Sequence, residues 1–440
     1  MNRFLPVTAL LLAATCVHAQ GVVRPDDRAA PLGIVDTVIV TGNDETRSYV
    51  ILDEMVLRRG VPVTRAAIEY DRNRIYSLGL FNNVEILFDT AGTRNTLFVD
   101  VHERWYLIPV LLFGFREGDA KKIYFGGGLL HNNVGGRNQK LFGSVVFGYN
   151  PSLDFLFSNP LIDREHQLYF AGRLSFSRIR NRSELAAATA GEFDEKHFDI
   201  NATLGKRFTL YQTLGLNLGY QIVTVDEYLP GRTNSPTGKD HVPYVRLDYS
   251  YDARDLREYP TRGPFVAFYA AWFGFGRSDV DHGRFGTDLR TYVSLPASLT
   301  LALRAHGTIA TGGTVPLYNH VYFGYGERLR GYYRTVFEGE NLAGAGAELR
   351  YPLLAARTIF VKLPLLPREF SAWRFGIGLS LFGDTGAAWF RGDPVQIASF
   401  SSGYGAGVDF ILPYSLVVRL QYARNDLGAG QYILDIRGAF

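Results

Sequence analysis

Hydrophobic and polar positions alternate with a period of two along most of this chain. In "SLTLALRAHGTI", Leu299, Leu301, Leu303, Ala305 and Ile309 fall on one side, and Thr300, Arg304, His306 and Thr308 on the other. "PYVRLDYSYD" sets Val245, Leu247 and Tyr249 against Arg246 and Asp248, and "SLVVRLQYAR" sets Leu416, Val418, Leu420 and Tyr422 against Arg419 and Gln421. That period belongs to β-strands. From Trp105 to Phe440 it predicts sixteen strands, beginning near 107, 122, 139, 152, 166, 195, 212, 241, 263, 284, 298, 342, 372, 401, 415 and 430.

Charges held in mid-strand on one consistent face are costly against lipid but ordinary against a water-filled lumen. A soluble sandwich would alternate as well. Repetition over roughly 335 residues, without a second core-forming helix, favours a closed transmembrane barrel of sixteen antiparallel strands. The long polar connections (180–194, 229–240, 312–341 and 390–400) follow odd-numbered strands, whereas most connections after even strands are short. Long outer loops and short inner turns are the rule for such barrels, so the segment ahead of the first strand belongs in the periplasm. The stretch 355–371, "AARTIFVKLPLLPREFS", is long and apolar for an inner turn and has no place in this scheme.

Residues 33–104 follow another pattern. "IVDTVIVTG" alternates, and "ETRSYVILDEMVLRRG" places Tyr49, Ile51, Leu52, Met55 and Val56 near helical spacing up to Gly60. A second helix is expected in "TRAAIEYDRNRIYSLGLF", and two strands in "NVEILFDT" and "TLFVDVHE". The order strand, helix, helix, strand, strand describes a small α+β domain whose helices cover one sheet face.

Ahead of it, "MNRFLPVTALLLAATCVHAQ" reads as a secretory signal: basic Arg3, an apolar run from Phe4 to Val17, and a cleavage pattern ending at Ala19. The organisation expected is signal peptide 1–19, linker 20–32, α+β domain 33–104 and barrel 105–440. Cys16 is the only cysteine, so cleavage leaves no thiol or disulfide chemistry. With 46 basic and 43 acidic residues, the net charge of +3 gives no reason to expect a nucleic-acid partner. The 26 Tyr, 31 Phe and 47 Gly among few long apolar blocks suit an outer-membrane barrel.

Against that frame, certain motifs stand out. "LRGY" (Leu329 to Tyr332) lies in the longest outer loop, "FGDTG" (Phe382 to Gly386) in the thirteenth strand, and "YDARDLREYPTRG" (Tyr251 to Gly263) at the entry to the ninth. Together they resemble the BamA/TamA superfamily of outer-membrane insertases and two-partner secretion transporters. Residues 33–104, with "IVDTVIVTGNDET", "GVPVT" and "NRIYSLGLFNNVEI", resemble its POTRA domain. The resemblance implies that the sixth outer loop folds back into the lumen. It pairs Arg330 with Asp384, sets Gly331 and Tyr332 at the loop tip, and includes Gly386 in the strand motif. A guanidinium makes a forked, charge-assisted pair with a carboxylate, and glycine permits a tight backbone. The ending "GQYILDIRGAF" resembles the terminal signal read by the barrel assembly machinery, with Tyr432 and Phe440 facing lipid.

The resemblance implies a polypeptide client received by the POTRA domain through strand addition, contact with outer-membrane lipids, and insertion by the assembly machinery. A single POTRA domain points to an accessory or specialised member. A passive pore, or a two-partner-secretion-like transporter, is the competing expectation. No Gly-x-Ser-x-Gly, His-Glu-x-x-His or Gly-x-x-x-x-Gly-Lys motif is present, so neither an enzyme nor a cofactor is expected.

Overall fold

The computed structural model describes residues 31–115, 121–276, 279–361 and 368–438. The expected signal peptide at 1–19 and Phe440 lie outside the described residues. The first unit contains β1 (Gly33–Ile34), β2 (Thr37–Thr41), α1 (Ser48–Leu52), β3 (Pro62–Val63), α2 (Arg65–Tyr76), β4 (Phe81–Asp89) and β5 (Thr96–Glu103). β5 is the centre of a three-stranded sheet, parallel to β2 and antiparallel to β4. The Thr64 side chain caps α2 by accepting from the Ala67 amide at 3.1 Å.

The helix expected to run to Gly60 stops at Leu52. Its sequence keeps a helical apolar spacing, but the Asp71 carboxylate accepts from the Val56 and Leu57 amides at 2.8 and 2.9 Å. Those two amides are thereby satisfied outside a helix, and Met55 and Leu57 still reach the core with Ile51, Ile75, Leu80 and Phe81.

The second unit is one antiparallel sheet of sixteen strands. Its first eight are β6 (Leu107–Phe115), β7 (Ile123–Val134), β8 (Gln139–Gly148), β9 (Ser152–Asp163), β10 (Leu168–Arg180), β11 (Asp194–Arg207), β12 (Gln212–Val225) and β13 (Lys239–Asp252). Next come β14 (Gly263–Phe273), β15 (His282–Ser294) and β16 (Thr300–Gly312), then a loop with the short pair β17 (Val321–Phe323) and β18 (Phe337–Gly339). The sheet resumes with β19 (Asn341–Phe360), β20 (Ala372–Trp389), β21 (Ser401–Leu412), β22 (Leu416–Asn425) and β23 (Gly430–Gly438). Each expected strand start falls within two residues of the observed one. A short helix, α3 (Glu184–Ala190), sits in an outer loop.

The sheet curls on itself. The Tyr259 hydroxyl, in the turn between β13 and β14, donates to Asp409 on β21 at 2.9 Å, a contact only a barrel-like curvature allows. Alternation sorts the faces as the pattern predicts: Leu247, Leu303, Leu420 and Tyr422 are exposed outward, while Gln421 and Asp409 are buried inward. Glycine and tyrosine serve each other on the inner face. A Cβ at Gly205 would stand 2.2 Å from the Tyr169 ring, and one at Gly219 2.1 Å from Tyr244.

Closure is the point of departure from expectation. Strand order runs from β23 to β6 without a ladder joining these two, so among the described residues the barrel has an unpaired seam rather than a closed wall. β6 is apolar on both faces, with Leu107, Leu111, Phe113 and Phe115 outward and Ile108, Val110 and Leu112 opposite. The last strand keeps its register, with Tyr432, Leu434 and Ile436 outward and Asp435 inward.

The α+β domain does not have a core wholly its own. Tyr106 and Leu256, the latter from the β13–β14 turn, join its hydrophobic cluster. The domain bonds to six of the seven inner turns. The Arg47 amide donates to Gly136 O (2.8 Å), Arg164 to Asp53 (3.0 Å), Arg74 to Leu210 O (2.9 Å) and the Arg257 amide to Ser77 Oγ (3.2 Å). Asn82 donates to Glu369 O, and Arg104 to Ser415 Oγ at 3.1 Å. The domain therefore sits across the mouth of the barrel on the side of its short turns.

Candidate functional site: a loop locked in the lumen beside an open seam

Residues 313–340 turn inward from the top of β16. The two short strands β17 and β18 pair Phe323 with Phe337 and stiffen the loop. Leu329 and Phe323 are buried against Tyr332 and Leu342, which gives the loop an apolar anchor of its own. The Phe323 ring fits because Gly344 and Gly386 face each other across β19 and β20; a Cβ on either would come within 3.0 Å of it.

Arg330 then reaches the wall. Its Nε and Nη2 donate to the two Asp384 oxygens at 2.6 and 2.8 Å, a forked pair. Nη1 donates to Glu348 Oε2 at 2.5 Å, and the guanidinium lies 3.8 Å from the centre of the Phe382 ring. Gly331 takes φ +99°, a conformation that favours glycine. The loop backbone also presses on β21, where a Cβ at Gly403 would stand 1.7 Å from Arg330 O. The Tyr332 hydroxyl donates to Asp426 beyond the end of β22.

The motif residues Arg330, Gly331, Tyr332, Asp384 and Gly386 thus meet in one place. Tyr432 stands apart, 85% exposed on the outer face of β23. Sequence reading missed Glu348, which takes the third guanidinium nitrogen and also accepts from Arg350 Nε at 2.6 Å. It missed Gly346, whose Cβ would collide with Asp384 Oδ1 at 2.6 Å. A second lock went unnoticed too: Arg304 holds the loop residue Glu327 through two bonds of 2.9 Å and Asp288 through two more, of 2.9 and 3.2 Å. The alternation marks Asp288, Arg304, Gly346 and Glu348 as lumen-facing, but pairing across strands was not available from it.

The "YDARDLREYPTRG" turn is a hub rather than a simple entry. Asp255 accepts from the Thr261 and Arg262 amides and from the Thr261 hydroxyl, which folds the turn. The fold sends Leu256 into the α+β domain, Tyr259 across to Asp409, and Pro260 O toward Arg350 at 3.4 Å.

At the interface between the α+β domain and the barrel, Glu54 receives Arg74 at 2.7 Å and Arg207, at the foot of β11, at 2.6 Å. Burial works to raise the Glu54 pKa, but the two guanidiniums outweigh it and hold the carboxyl below its ordinary value. Asp71 behaves oppositely. Burial pushes it up to about 6 against the pull of the Val56 and Leu57 amides.

Comparison with known proteins agrees with this geometry. The profile of the Omp85 superfamily domain matches residues 133–427, and that of the surface antigen variable number repeat, or POTRA, matches 34–104. The outer membrane protein assembly factor BamA of Nitratidesulfovibrio vulgaris is 22% identical over 315 residues, which are 68% of this chain and 37% of that protein's length. Haemophilus ducreyi BamA lacking POTRA domains 1–3 shares the fold with TM-score 0.55 and 15% identity, covering 93% of this chain and 84% of that one. CdiB from Escherichia coli does so with TM-score 0.53 and 12% identity, covering 92% and 75%. A POTRA domain, a sixteen-stranded barrel and the locked loop together place this chain in the Omp85 superfamily, among relatives of the BamA/TamA type.

Proposed function

We propose that this chain assists polypeptides into or across the bacterial outer membrane, with its POTRA domain in the periplasm and the client engaged at the seam between β6 and β23. The unpaired seam is the observation that carries this reading. Backbone N–H and C=O groups cannot enter hydrocarbon unsatisfied. A client strand that pairs with β6 or β23 satisfies its own groups as it enters. β2, at the free edge of the POTRA sheet, is a second edge where a client strand can add.

A passive pore fits less well. The POTRA domain lies against six inner turns, and the loop at 313–340 occupies the lumen through Arg330 and Arg304. The relatives named above, an assembly factor and CdiB, support handling of polypeptides at the outer membrane. No covalent step, metal or cofactor enters the reading.

The test locks the seam. Cysteines replacing Leu111 on β6 and Leu434 on β23 are joined by a reducible cross-linker in protein reconstituted into phosphatidylethanolamine and phosphatidylglycerol vesicles. The expected result is that cross-linking stops accelerated folding of a small outer-membrane barrel client and that reduction restores it. Undiminished folding with the seam locked would refute the reading.

A further inference from the structure

The described parts of the stretch 355–371, residues 355–361 and 368–371, acquire a role from what they touch. β16 stops pairing with β19 at Arg350, and β21 stops pairing with β20 at Gly376. Beyond those points β19 and β20 pair only with each other, as far as Phe360 and Ala372. A two-stranded ribbon is at best marginally stable in water. This one leans on the POTRA domain: the Phe360 ring meets His102 edge-on at 6.4 Å, and Asn82 donates to Glu369 O.

Phe370 reaches two aromatic rings on other elements. Its ring centre lies 5.9 Å from that of Trp105, just ahead of β6, and 6.1 Å from that of Tyr414, just ahead of β22. The Trp373 indole donates to Phe370 O at 2.6 Å and holds it there. β22 carries β23, with Leu416 opposite Gly438, so Trp105 and Tyr414 stand at the periplasmic ends of the two flanks of the seam. Arg104 makes the same crossing beneath. It donates to Phe81 O at 2.7 Å and Ser415 Oγ at 3.1 Å, with its guanidinium 5.2 Å from the Tyr76 ring and 5.6 Å from Tyr414.

The turn at 413–415 is built for these contacts. Tyr414 and Ser415 both hold positive φ, +62° and +59°. Glycine or asparagine is the usual occupant where two successive turn residues both hold positive φ. Here the two residues with the unusual backbone are the two whose side chains meet Phe370 and Arg104.

We propose that Phe370 is a latch: with Arg104 it ties the lead-in of β6 to the lead-in of β22 and holds the periplasmic end of a seam that has no backbone ladder. The latch lies outside the hydrocarbon span and outside the loop lock, so it sets how readily the flanks part without touching the loop in the lumen. It rests on the seam reading only for its consequence to clients.

The test compares Phe370→Ala with the unaltered protein by hydrogen exchange in nanodiscs, with no client present. Phe360→Ala, which loses a POTRA contact but none at the seam, is the control. Phe370→Ala is expected to speed amide exchange in β6 and β23 about tenfold and leave β4, β5 and α2 unchanged. Phe360→Ala is expected to leave β6 and β23 at the parent rate. Unchanged exchange in β6 and β23 overturns the latch, as does an equal rise throughout the POTRA domain. A faster seam with no change in client folding keeps the latch and counts against client passage at the seam, so the two proposals fail separately.

Discussion

The loop lock is a set of residues whose energetics are unequal. Arg330 serves both Asp384 and Glu348, while Glu348 keeps Arg350 as a second partner. Arg330→Ala removes the one cation that Asp384 bonds among the described residues and is expected to cost about 3–5 kcal/mol, the range for breaking a buried pair. Asp384→Ala should cost less, because Glu348 still holds the guanidinium. The double variant should fall short of the sum, since the shared interaction is lost once. The temperature at which the barrel unfolds on gels, with protease cleavage within 313–340, checks all three. Gly403→Ala is a backbone counterpart: its Cβ would meet Arg330 O at 1.7 Å, so the loop must lift from β21. Loop cleavage as fast as in Arg330→Ala is expected. Gly143→Ala, where a Cβ meets nothing within 4 Å, should leave the parent pattern.

At the scale of elements, the POTRA domain carries a pH dependence with a defined sign. Asp71, which ends α1 early by accepting two amides, titrates at about 6 in the folded protein against 3.8 ordinarily. The folded state keeps this proton to higher pH than the unfolded chain. Its stabilisation is therefore complete below the ordinary value and is lost as pH rises through about 6. Glu54, held low, acts the other way, but only below its ordinary 4.5. Between pH 4.5 and 6 the first urea transition in micelles should thus weaken with rising pH, by about 1–2 kcal/mol. Asp71→Asn should flatten that slope, and a slope that persists in the variant would assign it to another group. The same element shows where pattern reading stops. Tyr49 to Val56 has helical spacing, yet a carboxylate fifteen residues on supplies the amides with a better partner.

For the whole molecule, the two units are joined more closely than a linker implies. Leu256 lies in the POTRA core, and Arg104 packs between Tyr76 and Tyr414. Deleting residues 33–104 should leave a heat-modifiable barrel, because the ladders from β6 to β23 do not involve the domain. Client folding should be abolished. Full client activity in the truncated protein would remove the POTRA domain from the mechanism.

Strand number, strand starts, face assignment and the existence of a small α+β domain were legible because each depends on local chemistry repeated many times. A period of two decides which side of a strand meets lipid, and every strand restates it. The pairing of Arg330 with Asp384 was legible only through a resemblance of motifs. Glu348, Gly346, Gly403 and Arg304 were not, since their roles depend on which strands stand beside which and at what register. The open seam, the POTRA domain across the mouth and the contact of Phe370 with both flanks were decided by tertiary structure alone. Closure of a barrel depends on one ladder among sixteen strands, between segments more than three hundred residues apart, and no local pattern in β6 or β23 encodes whether that ladder forms.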